Sequence, residues 1–146
     1  MEQSSLAGST RTLLIAGALL FLLGLLQGAV VQFFANPRMG LSAHLTAVQS
    51  GTAVMVAGLA WRYVSLTTRL SAVAVWNIIG GMYGLWLGLT LSAATGASAV
   101  LPIAGAGYSA ALPVELGVAA LIYLSSAAIV IGWALLVLGL WRSRIN

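Results

Sequence analysis

The stretch TLLIAGALLFLLGLLQGAVVQFF, residues 12–34, is largely apolar and contains no charged residue, and it is the first indication of the fold class. A helix needs about 20 consecutive apolar residues to cross the hydrocarbon core of a bilayer. A secretory signal has an apolar stretch of only about 7–15 residues and a cleavage site of small residues. This stretch is longer and has no such site. We therefore interpret it as a retained transmembrane helix.

Together with this helix, the pattern of the rest of the chain predicts an all-α, integral membrane four-helix bundle. Asn36-Pro37 begins a turn that Gly40 ends, and Pro113 suits the first turn of a later helix. Residues 93–112 are rich in Ala, Gly and Ser, which indicates a loop or re-entrant element. We predict a polar tail at 1–10 and one transmembrane domain at 11–146, with helices at 12–34, 41–61, 70–92 and 113–141.

Composition supports a membrane protein and excludes several kinds of site. Hydrophobic residues make up 61% of the chain and charged residues 5%, against about 25% charged residues in soluble domains. So little charge predicts an outer surface that faces the lipid bilayer. The chain has no cysteine, which excludes disulfides and thiolate metal sites. The net charge is +4, but there is no basic cluster, so we expect no nucleic-acid partner.

The distribution of arginines predicts the orientation of the bundle. Arg38 falls on one side of a four-helix topology, and the other five arginines fall on the opposite side: Arg11, Arg62, Arg69, Arg142 and Arg144. Because cytoplasmic loops carry the excess of positive charge, we predict that both termini are cytoplasmic (N-in/C-in). Trp61, Tyr63 and Trp141 would form an aromatic belt at the same interface.

His44 is the only histidine, and it lies near the start of the second helix. It has two interpretations: a polar residue that bonds a carbonyl at a helix end, or a ligand of haem or metal. Gly51 falls almost directly below His44, two turns deeper. The space at Gly51 could accept either a flat ligand or the backbone of a neighbouring helix. Gln49 and Ser50 follow on the same helix.

The third helix carries Asn77 and Tyr83, two polar side chains that need hydrogen-bond partners inside a membrane. Tyr83 and Ser50 reach similar depths by residue counting, so a phenol near a hydroxyl would either orient a small polar substrate or join helices two and three. Gly80, Gly84 and Gly88 form a ridge that predicts close helix packing, and the ridge also offers a surface to a second chain. Trp76 and Trp86 lie near the face of Tyr83 and suit an aromatic ligand, although such faces are more often core.

The stretch FANPRMGLSAHLTAVQSG, residues 34–51, resembles the hydroxylaminobenzene mutases, which are small bacterial membrane isomerases of nitroarene degradation. The most specific piece is the Asn-Pro-Arg-Met-Gly-Leu run followed by a histidine. A more distant likeness is to the styrene oxide isomerases. In that family a histidine of helix two is followed, at the spacing of Ser50 from His44, by Asn-Gly, and a Gly-x-Tyr lies in helix three. Here Ser50-Gly51 and Gly81-Met82-Tyr83 stand at those places.

The resemblance implies a homotrimer in the bacterial inner membrane that binds haem b between its subunits. It further implies that His44 is the axial ligand of the iron and that Gly51 lies beside the haem. Tyr83 would orient a small aromatic substrate. Ser50 stands where the family has an asparagine, and Gln49 or Asn77 is the alternative source of that amide. The implied reaction converts an aryl hydroxylamine to a 2-aminophenol.

Two alternatives belong to other functional classes. A haem-bearing membrane anchor usually ligates haem with two histidines. This chain has one, which argues against an anchor, although a haem at a subunit interface could take one histidine from each of two subunits. A small multidrug-type transporter needs an acid in mid-membrane, whereas Glu115 lies at the start of the fourth helix, where it suits the helix dipole.

Overall fold

The computed structural model describes residues 2–143, with side chains from residue 8 onward. Within that range the fold is all-helical, as predicted, and no strand is present. The four α-helices are α1 (Glu2–Gly28), α2 (Pro37–Ala60), α3 (Thr68–Thr95) and α4 (Leu112–Arg142), and short 3-10 turns lie at Val31–Phe33 and Trp61–Tyr63. Arg144, one of the five arginines predicted to lie on one side of the bundle, falls outside the described residues.

The helices run up and down, and their connections meet at two ends of the bundle. At one end, here called the Asn36 end, the Asn36 amide N–H donates to the carbonyl of Ala93 at 2.9 Å. At the other, the Arg62 end, the Ser65 amide N–H donates to the carbonyl of Gly139 at 3.0 Å. Helix α1 packs along α2, α3 packs along α4, and α2 contacts α3. The path from α1 to α4 is therefore a row of neighbours, with α1 also touching α3.

The predicted bounds of the first helix are wrong at both ends. Helix α1 begins at Glu2, within the stretch predicted to be a tail, and ends at Gly28 rather than at residue 34. Beyond Gly28, the N–H groups of Ala29 and Val30 bond carbonyls only three residues back. This tightening turns the chain out of the α-helix. The residues that follow form the 3-10 turn Val31–Phe33, which leads to α2.

Helix α2 begins at Pro37, four residues before its predicted start at Leu41 (41 − 37 = 4). The Oδ1 atom of Asn36 accepts a hydrogen bond from the Met39 amide at 3.1 Å, and Pro37 occupies the first turn. Asparagine at the N-cap followed by proline is a strong helix start. Gly40 therefore lies inside the helix, and its predicted role as the end of the turn is wrong.

The glycine ridge of α3 packs against α4 of the same chain. A methyl group at Gly88 would lie 2.8 Å from Ile122 Cγ1, and one at Gly84 would overlap Ser125. Close packing is thus confirmed for these two glycines, whereas Gly80 has no neighbour within 4 Å. Helix α4 thus covers Gly84 and Gly88, and of the three ridge glycines only Gly80 is left open.

Three helical segments in the described part of the chain are long and apolar enough to cross a membrane: Gly8–Gly28, Thr68–Thr95 and Leu112–Arg142. Helix α2 is not among them, although it lies between α1 and α3. It carries polar residues along its length, including His44 and Gln49. Trp61 also departs from expectation, because it is completely buried, whereas the exposed Tyr63 and Trp141 fit the predicted belt.

Residues 96–111 form an ordered connection at the Asn36 end, held by Glu115. The carboxylate accepts hydrogen bonds from the amides of Ala99 at 2.9 Å, Ala110 at 3.0 Å and Ser98 at 3.0 Å. Glu115 lies in the first turn of α4, where a negative charge meets the positive end of the helix dipole. Its acceptor sites are engaged with the backbone, which agrees with a structural role.

Candidate functional site

The imidazole of His44 lies between α2 and α1 and is half-buried. Its Nδ1 atom is 2.7 Å from the backbone carbonyl oxygen of Gly24. A carbonyl can only accept, so Nδ1 carries the hydrogen and donates it. In a neutral ring, Nε2 then keeps its lone pair, and within the described part of the chain no hydrogen bond reaches Nε2. This is the arrangement in which a histidine binds a metal through one nitrogen while the other donates to a carbonyl.

Gly51 lies on the same face of α2 as His44, but α1 fills the space beside it. A methyl group at Gly51 would lie 2.5 Å from the amide nitrogen of Phe21 and 2.7 Å from the carbonyl oxygen of Gly17. Of the two occupants that the sequence allows, the backbone of a neighbouring helix is the one present. Gly51 therefore supports the α1–α2 contact and leaves no room for a flat ligand within one chain.

Ser50 is buried, with 7% of its surface exposed. It lies about 120° around α2 from His44 at 100° per residue, on the side that buries Ala43, Ala47 and Val54. Gln49, the alternative source of an amide, is exposed on the outer surface. One chain therefore does not bring Ser50 next to the imidazole.

The Tyr83 hydroxyl donates a hydrogen bond to the backbone carbonyl of Ala16 at 2.8 Å. The phenol thus joins α3 to α1, whereas the sequence pointed to α2 and Ser50. It also borders an open groove of about 420 Å³ between α1 and α3. The groove is lined by Thr12, Ile15, Ala16, Leu19, Trp76, Ile79 and Tyr83. The hydroxyl donates its hydrogen to the Ala16 carbonyl. Its oxygen keeps lone pairs that can accept a hydrogen bond from a molecule in the groove.

Asn77 is not part of this groove. Its side-chain amide donates to the Val73 carbonyl of its own helix at 2.9 Å. At 100° per residue it lies about 120° around α3 from Tyr83. The structure therefore places Asn77 on a different side of α3 from Tyr83.

Gln27 is a polar residue that our sequence reasoning did not single out. Only 7% of its surface is exposed. Its Oε1 atom accepts a hydrogen bond from Trp86 Nε1 at 2.6 Å, and its Nε2 atom donates to Thr90 Oγ1 at 3.0 Å. A glutamine inside an uncharged run was the available signal, because a buried amide in a membrane helix needs partners. Trp86 is thus an interior donor, separate from the exposed Trp76.

His44 and Tyr83 approach α1 at different levels. The carbonyls that they contact belong to Gly24 and Ala16, eight residues apart (24 − 16 = 8). At 1.5 Å per residue this is about 12 Å along the helix. His44 reaches α1 from α2, whereas Tyr83 reaches it from α3. A single chain therefore holds the two side chains apart.

The described residues offer no group of three or more His, Cys, Asp or Glu side chains that could hold a metal ion. His44 stands alone as a nitrogen ligand. A bare ion would lack enough protein ligands there. A metal at His44 must bring most of its own ligands, as the iron of a porphyrin does.

Comparison with known proteins gives three results. The model of the styrene oxide isomerase family matches residues 9–141. Hydroxylaminobenzene mutase HabA of Ectopseudomonas oleovorans is 39% identical over 103 residues, which cover 70% of this chain and 76% of that protein. Hydroxylaminobenzene mutase HabB of the same organism is 39% identical over 136 residues, covering 92% of this chain and 80% of its own. No solved structure matches.

Proposed function

Because the chain belongs to the styrene oxide isomerase family and is an isomerase, we propose that it converts aryl hydroxylamines such as hydroxylaminobenzene to 2-aminophenols. Both curated relatives carry the name hydroxylaminobenzene mutase. The reaction moves a hydroxyl group from nitrogen to the adjacent ring carbon without net oxidation. It would serve the bacterial degradation of nitroarenes.

The donor set at His44 fits a haem b. The single observation that carries this assignment is the Nδ1–H bond to Gly24 O at 2.7 Å, which leaves Nε2 as a free nitrogen ligand on a half-buried ring. A ferric haem bound there would supply a Lewis acid that withdraws electrons from the substrate oxygen. The space at Gly51, which α1 fills, is not part of this proposal.

The groove between α1 and α3 suits the substrate. Apart from the hydroxyls of Thr12 and Tyr83, its lining side chains are apolar, with Trp76 as an aromatic wall. We propose that the Tyr83 oxygen accepts a hydrogen bond from the substrate while its hydroxyl hydrogen remains donated to the Ala16 carbonyl. Trp76 would stabilise positive charge that develops on the ring as the N–O bond weakens. A water-poor groove would also protect that ring from attack by solvent.

The separation of His44 from Tyr83 supports a site shared between two chains. His44 lies where α2 meets α1, and Tyr83 lies where α3 meets α1. Two different surfaces pair in a head-to-tail manner, and such contacts form a ring when the rotation between neighbouring subunits closes. A homotrimer, with His44 from one subunit and Tyr83 from its neighbour, would complete the site. The exposed Gln49 would then lie on a surface open to a partner.

The membrane setting completes the proposal. Three helices have the length and apolar composition of membrane spans, and α2 would cross beside them, shielded by α1 and α3. Arg62, Arg69 and Arg142 lie at the Arg62 end, and Arg38 lies at the opposite end. The positive-inside rule then puts the Arg62 end and both termini in the cytoplasm of a bacterial inner-membrane protein.

Isotope labelling tests the reaction. Purified protein is given hydroxylaminobenzene in water enriched in ¹⁸O, and the product is identified by mass spectrometry. Intramolecular transfer predicts 2-aminophenol without solvent label. Solvent oxygen in the product, or no 2-aminophenol at all, would contradict the proposal.

A further inference from the structure

The position of the His44 imidazole depends on a gap in α1 at Gly28. A methyl group built on Gly28 would lie 2.8 Å from both Cε1 and Nδ1 of His44 and 3.4 Å from its Cγ. All three of the nearest atoms belong to that one ring. The imidazole therefore lies against the α1 backbone, where a larger residue would displace it.

Gly24, one turn earlier, fixes the same ring in a second way. Its carbonyl accepts the Nδ1 hydrogen, so the hydrogen-bond geometry selects the tautomer that leaves Nε2 free. Gly24 also lets α2 approach, because a methyl group there would lie 2.8 Å from the side chain of Ala47. The two glycines thus control both the distance between the helices and the position of the ring.

Gln27 fixes how these glycines face α2. Its side chain bonds Trp86 and Thr90 of α3, so the rotation of α1 about its own axis is set at the residue next to Gly28. The side chain of Gln27 binds one neighbouring helix, while the missing side chain of Gly28 admits a ring from the other.

We propose that Gly28 and Gly24 are positioning residues for His44. Gly28 provides the space for the imidazole, and the Gly24 carbonyl holds its hydrogen on Nδ1, so that Nε2 is presented as a ligand. The metal that Nε2 receives rests on the proposed function, whereas the packing of the ring against Gly28 does not. The two parts therefore need separate readouts.

A double-mutant cycle tests the packing without any cofactor. Gly28→Ala, His44→Gly and the double variant are compared by thermal unfolding of the full chain in detergent. Gly117→Ala is the matched control, because a methyl group at that helical glycine meets nothing within 4 Å. Gly28→Ala should lower Tm relative to Gly117→Ala in the wild-type background. In the His44→Gly background the two substitutions should behave alike, because the atoms that the methyl group meets are gone. The proposal would be overturned if the difference in Tm between Gly28→Ala and Gly117→Ala were the same in both backgrounds.

The ligand role has its own readout. Gly28→Ala should displace the imidazole and so disturb its hydrogen bond to Gly24. Disturbing the hydrogen bond of a metal-bound histidine typically weakens metal affinity about 10- to 100-fold, and we expect a loss of that size in haem retention for Gly28→Ala but not for Gly117→Ala. Nitrogen NMR of ¹⁵N-histidine-labelled protein reports the tautomer of His44, the only histidine. Where haem is bound, the protein is studied as the diamagnetic ferrous carbon monoxide complex. It should show hydrogen on Nδ1. Hydrogen on Nε2 would overturn the proposal. Coupling in the cycle together with a colourless wild-type protein would support the positioning of His44 and defeat the haem assignment alone.

Discussion

His44 donates its Nδ1 hydrogen to the backbone carbonyl of Gly24 across 2.7 Å. The sequence left two interpretations of this histidine, a helix-end residue bonded to a carbonyl or a metal ligand. The geometry makes them compatible, because a carbonyl bond at one ring nitrogen leaves the other free to bind. The bond to Gly24 is therefore compatible with the proposed ligand role of His44, and the effect of a substitution elsewhere should depend on whether it disturbs this bond or the proposed substrate groove.

We expect Tyr83→Phe to keep the haem and to slow turnover. The change removes the hydroxyl that α3 donates to Ala16, and with it the proposed hydrogen-bond acceptor for the substrate. A loss of about 1–3 kcal/mol corresponds to a roughly 5- to 150-fold slower reaction. The measurement is steady-state turnover together with the haem spectrum.

Tyr123→Phe is the control for that substitution. Tyr123 lies on α4 with 64% of its surface exposed, so losing its hydroxyl should leave turnover unchanged. Equal rates for the wild type and Tyr83→Phe would remove Tyr83 from the site.

Mixed oligomers test whether two chains share one site. In co-expressed His44→Ala and Tyr83→Phe chains, a head-to-tail ring would place both native side chains together in about a quarter of the sites. Turnover per chain should then exceed the mean of the two separate variants. A site within one chain predicts no gain over that mean, and a fully active monomer in native mass spectrometry would also refute the shared site.

Replacement of Gln27 by leucine should destabilise the bundle. It would leave the half-buried Trp86 indole and the Thr90 hydroxyl without their amide partner. Hydrogen bonds between membrane helices contribute about 0.6–1.7 kcal/mol each, and we expect a loss of that order in the free energy of unfolding. Gln32→Leu is the control, since Gln32 is exposed and bonds only the nearby Ala29 carbonyl. Equal stability of the two variants would contradict a structural role for Gln27.

The sequence was sufficient to predict the helices but not to predict which residues of different helices contact each other. Long apolar runs predict helices because of their composition alone, and Pro113 marked the start of α4 within one residue. The N-cap role of Asn36 was missed because Asn-Pro begins both turns and helices. Which residue lies opposite which depends on how the helices pair, and no periodicity within one helix contains that information.

The site residues illustrate this limit. His44 was found because it is unique, and Tyr83 because a phenol is conspicuous in an apolar helix. The partner of Tyr83 proved to be a backbone carbonyl of α1, an atom that every residue carries and that no motif can mark. The space at Gly51 had two predicted occupants, and only the packing of α1 distinguished them.

Reporter fusions test the orientation. We expect fusions after Arg69 and at the C-terminus to report cytoplasm, and one at Ala106 to report the outside, because the arginines concentrate at the Arg62 end. Ala106 lies in the connection at the Asn36 end, where its carbonyl accepts a hydrogen bond from Arg38. A cytoplasmic signal at Ala106 would reverse the topology.

Absorption spectra and turnover of purified wild-type protein and His44→Ala test whether His44 holds a haem on which the isomerisation depends. We predict a Soret band and 2-aminophenol formation in the wild type, and the loss of both together in His44→Ala. A wild-type protein that is active yet colourless would contradict the proposed haem. A His44→Ala variant that isomerises hydroxylaminobenzene at the wild-type rate would contradict the proposed role of His44.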